Sequence, residues 1–206
     1  MPRRRKTGLM RLAPTLLAVT LAGLAACSTV VSLTYTPTHA VVPGPPSLLA
    51  AVSVMDVRGG GEPDVLLTRV GTMGIIPVAY TRRPVADEVA AVFTKALQVR
   101  GMVAAAAPYR MRLTLHTLDG ETIFRGQIYD GPVTDDNTAS VGIDLAVTDQ
   151  SGRMIYQDVV ENSRRVDIPT GSGDDGTLPT LVQALLNADV DLMLDNPAFR
   201  VAIQHH

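Results

Sequence analysis

The chain has 206 residues, 46% hydrophobic and 18% charged, enough for one domain of ordinary size and too apolar for a disordered chain. Aromatics are 4%, Trp is absent and there is one Cys, which excludes a disulfide framework, a Cys-rich metal site and stacking platforms for bases or sugars. Residues 1–26 hold five cations and no acid, so residues 27–206 carry 13 cations against 20 acids; an acidic body argues against a nucleic-acid binder.

Residues 1–26 read as an export signal. Arg3-Arg4-Arg5-Lys6 is a positive n-region, and Leu9 to Leu24 is mostly apolar, broken by Arg11, Pro14, Thr15 and Thr20. That stretch is short for a membrane span of about 20 residues and has the length of a signal-peptide h-region. It ends in Leu24-Ala25-Ala26-Cys27, then Ser28. Small residues fit a peptidase cleft, and a Cys thiolate is readily alkylated near neutral pH. This stretch resembles a bacterial lipobox. The resemblance implies a diacylglycerol on the Cys27 sulfur and, after cleavage, an acyl chain on the Cys27 amine. Ser28 in place of Asp favours the outer membrane in such lipoproteins.

Residues 27–47 are expected to be the lipidated Cys followed by a Pro/Thr-rich tether. Four prolines and repeated Ser/Thr bar a helix, and polyproline-like extension at about 3.1 Å per residue would reach roughly 60 Å. The alternative is that Val30 to Tyr35 docks as an edge strand. On the spacer reading, a fragment from Ser47 onward should melt like the whole chain.

Residues 48–206 are expected to form a single domain. Leu48 to Val57 is a short apolar run stopped by Gly59-Gly60-Gly61, as in a buried strand. Thr72 to Tyr80 is a possible second strand, interrupted by Pro77. Pro84 to Arg100 is the strongest helix: Val85, Val89, Val92, Phe93, Ala96 and Leu97 share one face, Asp87 and Glu88 sit in the first turn, and Gly101 follows. Met111, Leu113 and Leu115 alternate with polar residues, as do Val141, Ile143, Leu145 and Val147, which predicts two half-buried strands. Glu121 to Tyr129 predicts another. Asp149-Gln150-Ser151-Gly152 predicts a hairpin turn into a strand from Arg153 to about Val166. Thr177 caps a helix from Leu178 to about Leu194, whose main face runs through Leu178, Leu181, Val182, Leu185, Asp189, Leu192 and Met193. Asp195-Asn196-Pro197 ends it, and Phe199-Arg200-Val201 starts a short docking segment. The order predicts a two-layer α+β domain, a mostly antiparallel sheet covered on one face by two helices.

This layout resembles the YajG family of bacterial lipoproteins on several short elements. They are the lipobox, the Pro-rich spacer, the strand Val52 to Arg58 and the helix end Phe93 to Gly101. Gly152 in its turn and the run from Leu185-Leu186-Asn187-Ala188-Asp189 to Asp195 complete the set. Met102 stands where the family has an aromatic residue. The resemblance implies an envelope lipoprotein without an established activity, and supplies no catalytic residue.

The remaining motifs have bland readings. Gly171-Ser172-Gly173-Asp174-Asp175-Gly176 fits G-x-G-x-x-G, but two carboxylates in the variable positions repel phosphate. It reads as an acidic loop in which Asp175 or Thr177 caps the helix, and no nucleotide is expected. Asp130, Asp135, Asp136 and Asn137 are oxygen ligands of the type Ca²⁺ takes, in spacing that reads as a solvated hairpin loop, and no metal is expected. The available bases are His39, His116, His205 and His206, none in a nucleophile motif. Asp56 and Arg58 read as an ion pair beside the glycine turn, with a ligand corner as the alternative. Arg82-Arg83 and Arg164-Arg165 read as solvated faces. The expectation is a non-enzymatic, lipid-anchored outer-membrane lipoprotein. It would have no cofactor beyond the lipid on Cys27 and a periplasmic domain that binds an envelope protein partner. The alternative is an auxiliary lipoprotein subunit of an envelope transport or secretion complex.

Overall fold

The computed structural model describes residues 29–48, 51–59, 62–71, 74–124, 134–169 and 177–204. The export signal, the lipobox with Cys27, and His205-His206 lie outside the described residues, as do Asp130 and the 171–176 glycine loop.

Seven strands form one mixed sheet: β1 (Thr29–Val31), β2 (Ser53–Asp56), β3 (Val65–Gly71), β4 (Gly74–Thr81), β5 (Arg110–Phe124), β6 (Thr134–Thr148) and β7 (Met154–Pro169). Its order is β1-β4-β3-β5-β6-β7, with β2 also on β5. The longest pairings, β5–β6–β7 and β3–β4, are antiparallel. β1–β4, β2–β5 and β3–β5 are parallel. Helix α1 (Val85–Val99) packs on β2, α2 (Thr177–Leu194) on β5, β6 and β7, and α3 (Pro197–Gln204) on β7. This is the expected two-layer α+β domain, with three helices rather than two among the described residues.

The alternating residues fall where their period places them. Met111, Leu113 and Leu115 of β5 and Val141, Ile143, Leu145 and Val147 of β6 are buried beneath the helices, in one core with the α1 stripe. Between Leu115 and Thr117 the β5–β6 pairing slips by one residue. This bulge at His116 reverses the phase of β5, so that Leu118, Gly120 and Thr122 now face inward. The first four residues of the strand expected from Glu121 to Tyr129 are therefore the end of β5; residues 125–129 lie outside the described residues. Strand β3 escaped the sequence reading because its own register shifts bury Leu66 and Leu67 side by side, which breaks the period of two. Gly120 lets β3 and α2 close on the sheet: a Cβ there would come within 2.5 Å of Leu67 and 2.9 Å of Leu178.

The glycines predicted at the helix end and in the hairpin turn act as such. Gly101 adopts φ 67°, and the Gly101 and Met102 amides donate to the Gln98 and Leu97 carbonyls. That is the Schellman pattern that satisfies a helix end. Gly152 closes the β6–β7 hairpin at φ 85°, where Asp149 accepts from the Ser151 and Arg153 amides. Pro197 opens α3, with Asn196 accepting from the Ala198 amide as its cap. Leu192, expected on the buried face of α2, is 63% exposed. Asp189 is buried as that face requires, and the helix also turns Asn187 and Asp191 inward.

The main correction concerns residues 29–47. Past Val31 the segment carries neither helix nor strand, yet it is not a free spacer. Thr29–Val31 pairs with Ala79–Thr81, so the edge-strand alternative holds for its first residues. Leu33 enters the core, Thr34 exchanges hydrogen bonds with Gln183, and the Val42 and Pro43 carbonyls accept from Arg200. The Gly44 amide donates to the Arg100 carbonyl. The prolines keep helix out of the segment, and a segment with free backbone groups is what a sheet edge and helix ends can bind.

Candidate functional site

Two places gather polar chemistry. The first is a cleft of about 470 Å³ beside β5. One edge of β5 pairs with β6 throughout. Its other edge is shared, by β2 along 112–115 and by β3 along 120–123. The stretch between is where a backbone ladder is missing, and Arg58 fills it. Its Nη1 donates to the Leu118 carbonyl at 3.2 Å and the Val65 carbonyl at 3.1 Å. Nη2 donates to the Pro63 carbonyl and to Asp56 Oδ2 at 2.8 Å, and Nε to both Asp56 oxygens. The guanidinium thus stands in for a strand. Burial opposes ionisation of Asp56, but hydrogen bonds from the Arg58 side chain and amide outweigh it and lower its pKa. The expected Asp56–Arg58 ion pair is present, and its cation is committed to protein acceptors. Arg58 is therefore not free to hold an anionic ligand.

Asp119, on the cleft rim, has its carboxyl raised by desolvation and by the neighbouring Glu121 charge. His116 also lines the cleft and lies 2.8 Å from Asp144 Oδ2 with its ring half-exposed. It sits at the bulge rather than in a regular wet strand. No group of three His, Cys, Asp or Glu side chains among the described residues is placed to hold a metal ion.

The second place is a buried cluster where the N-terminal segment, the end of α1 and the end of α2 meet. The Arg100 and Asp191 side chains are 0% and 1% exposed. Arg100 Nη2 donates to Asp191 Oδ1 at 2.7 Å and to Asp195 Oδ2 at 2.8 Å, while Nε donates to Asp195 Oδ1 at 3.1 Å. Nη1 donates to the Tyr35 hydroxyl at 2.5 Å, which donates to Asp191 Oδ1 at 2.6 Å. The Thr38 amide and hydroxyl fill Asp191 Oδ2 at 2.7 and 2.6 Å. Arg200 donates to Asp195 Oδ1, and His39 Nε2 lies 2.9 Å from Asp195 Oδ2. Burial alone would raise Asp195; hydrogen bonds from Arg100 and Arg200 overcome it and push the carboxyl down to about 2. Asp191 is likewise lowered against its burial, through Thr38, Tyr35 and Arg100. Desolvation and the bond to Asp191 push Tyr35 up to about 12.

This cluster joins the Arg100-Gly101 end of α1 to the acids at the end of α2. Its signal lies in the sequence: Asp191 and Asp195 fall near the C-terminus of α2, where the helix dipole disfavours anions and no base sits in the last turn. Acids there call for a cation from elsewhere. The other singled-out residues scatter. Asp136 and Asn137 lie in β6 and are buried, not in a solvated loop. Asp136 pairs with Arg165 at 2.5 Å, and Thr122 donates to Asn137 at 2.7 Å. Arg83 pairs with Glu88, Arg82 and Arg164 are exposed, and His39 stays half-exposed beside the cluster.

No family model matches the chain, and no curated protein does. Among solved structures, it is similar to a Xanthomonas campestris protein of the family model DUF330. That match has 14% identity and a TM-score of 0.57, and covers 84% of this chain and 96% of that one. The likeness is one of fold. It is also similar to a minor lipoprotein from Acinetobacter baumannii, at 10% identity and a TM-score of 0.39, over 75% of this chain and 95% of that one.

Proposed function

We propose that the protein is an envelope lipoprotein, anchored by a diacylglycerol and an N-acyl chain on Cys27, whose α+β domain binds a protein partner in the periplasm. One observation carries this: the full lipobox Leu24-Ala25-Ala26-Cys27 behind a charged n-region and a short apolar stretch, at the chain's single Cys. Three acyl chains at about 0.8 kcal/mol per buried CH₂ make attachment effectively permanent. Ser28 after the Cys favours the outer membrane. No helix among the described residues is long and apolar enough to cross a membrane.

The domain is read as a non-enzymatic binding module. The cleft beside β5 is bridged by an arginine already spent on protein carbonyls, and the Arg100 cluster is buried and internally satisfied. Such groups build a rigid body rather than turn over a substrate. Intact mass of the detergent-extracted protein tests the anchor: the expected chain starts at Cys27 and carries lipid. A chain that keeps residues 1–26, or a free Cys27 thiol, refutes it. Crosslinking in intact cells, with Cys27→Ala as the unanchored control, tests the partner and separates a freestanding module from an auxiliary subunit of a larger complex.

A further inference from the structure

We propose that the sheet corner made by β1 and the β3–β4 hairpin rests in the bilayer interface, beside the acyl chains. This rests on the reading of Cys27 as the lipid attachment site. Ser28 alone separates Cys27 from Thr29, and two residues span at most about 7 Å. Thr29 is paired with Ala79, and the residues after it are docked on the domain. The lipid is therefore tied to the sheet edge, and the domain has no spacer on which to move away.

The direction of β1 selects which end of the sheet meets the membrane. β1 runs parallel to β4, so the chain reaches Thr29 from the side of Ala79 that leads back to Gly74. Ile75 lies four residues before Ala79, about 13 Å along the strand at roughly 3.3 Å per residue. The hairpin thus reaches farther toward the anchored side than Cys27 can. Its chemistry suits that place. Ile75 is 70% exposed and Val30 of β1 58%. From Val70 to Tyr80 the sequence has no charged residue, in a body where acids outnumber cations. Exposed branched apolar side chains are ordinary one at a time. Here Ile75 sits on an uncharged hairpin and Val30 on the strand paired beside it, at the point where the anchor enters, which commits the surface to phospholipid.

The test uses the full lipidated chain in phosphatidylcholine vesicles with brominated acyl chains. Ile75→Cys and, separately, Val30→Cys carry a polarity-sensitive fluorophore; lipidated Cys27 leaves no competing thiol. Val159→Cys on β7, at the opposite sheet edge and also exposed, is the reference. The expected result is blue-shifted emission and at least twofold quenching at 75, with quenching at 30 and none at 159. Protein that floats with the vesicles but shows equal quenching, or none, at 75 and 159 overturns the proposal while leaving the anchor intact. Protein that fails to float and labels at Cys27 overturns the anchor, and the orientation falls with it.

Discussion

At the scale of single residues, Arg100 is the side chain on which most others depend. It is fully buried, and two carboxylates and a phenol close on it. A buried ion pair often adds little net stability over an apolar replacement of the whole set, but removing one partner strands the other's charge. Arg100→Met should therefore cost about 3–5 kcal/mol, since Asp191 stays 1% exposed with no cation. Tyr35→Phe keeps the ion pair and leaves Asp191 its bonds from Arg100 and Thr38, so it should cost less, about 1.5–3 kcal/mol. Urea unfolding of both variants measures the difference; equal losses would show that the phenol, not the charge, holds the cluster. Asp189 is the opposite case. Burial raises its carboxyl, Asn162 satisfies Oδ1 at 3.1 Å, and Oδ2 is buried with no partner.

At the scale of elements, the N-terminal segment behaves as part of the fold. Leu33 is buried in the core, which is worth about 2 kcal/mol, and Tyr35 and Thr38 supply three hydrogen bonds to Asp191. Deleting residues 29–46 should cost more than about 5 kcal/mol, a fall in Tm of roughly 10–20 °C for a domain of this size. A scanning-calorimetry trace unchanged by the deletion would restore the free-spacer reading. The seat of α2 on the sheet depends in turn on Gly120. Gly120→Ala must push Leu67 or the α2 residues Leu178 and Val182 aside, an overpacking that should cost about 1–3 kcal/mol. Gly59, with open space around it, provides the control substitution, and equilibrium denaturation compares the two.

At the scale of the whole molecule, the carboxylates in and just after α2 set the pH response. Asp191 and Asp195 have folded-state values below the ordinary carboxyl, Asp195 at about 2. Their stabilisation is fully present above the unfolded value near about 4 and is lost as pH falls from there toward about 2. Asp189 is shifted upward, so its charge costs stability above its folded value, and that cost disappears on acidification. The expected profile is a net loss of stability between about pH 4 and pH 2. Asp189→Asn should stabilise the protein at neutral pH by about 1 kcal/mol and give no advantage below about pH 4. Chemical denaturation across that range reads both signs. A stability that rises steadily from pH 4 to pH 2 would mean that the Arg100 cluster does not carry its carboxylates as ions.

The sequence by itself determined the pieces whose cause is local. The α1 helix follows from a 3.6-residue stripe and a glycine stop. The β6–β7 hairpin follows from Asp149 and Gly152, and the α+β class from the order of elements. The Asp56–Arg58 pair was legible because the two residues lie two apart. Only the tertiary structure decided the rest, because the deciding partner lies far away in the chain. A bulge at His116 joined two apparent strands into one, and β3 hid its period behind register shifts. Arg100 and Asp191, 91 residues apart, made a single buried site from two terminal motifs. The 29–47 segment shows the reason most plainly. Its prolines do exclude a helix, but whether a non-helical chain is a tether or a strand depends on whether a sheet edge and unsatisfied helix ends stand beside it, and only the fold supplies those.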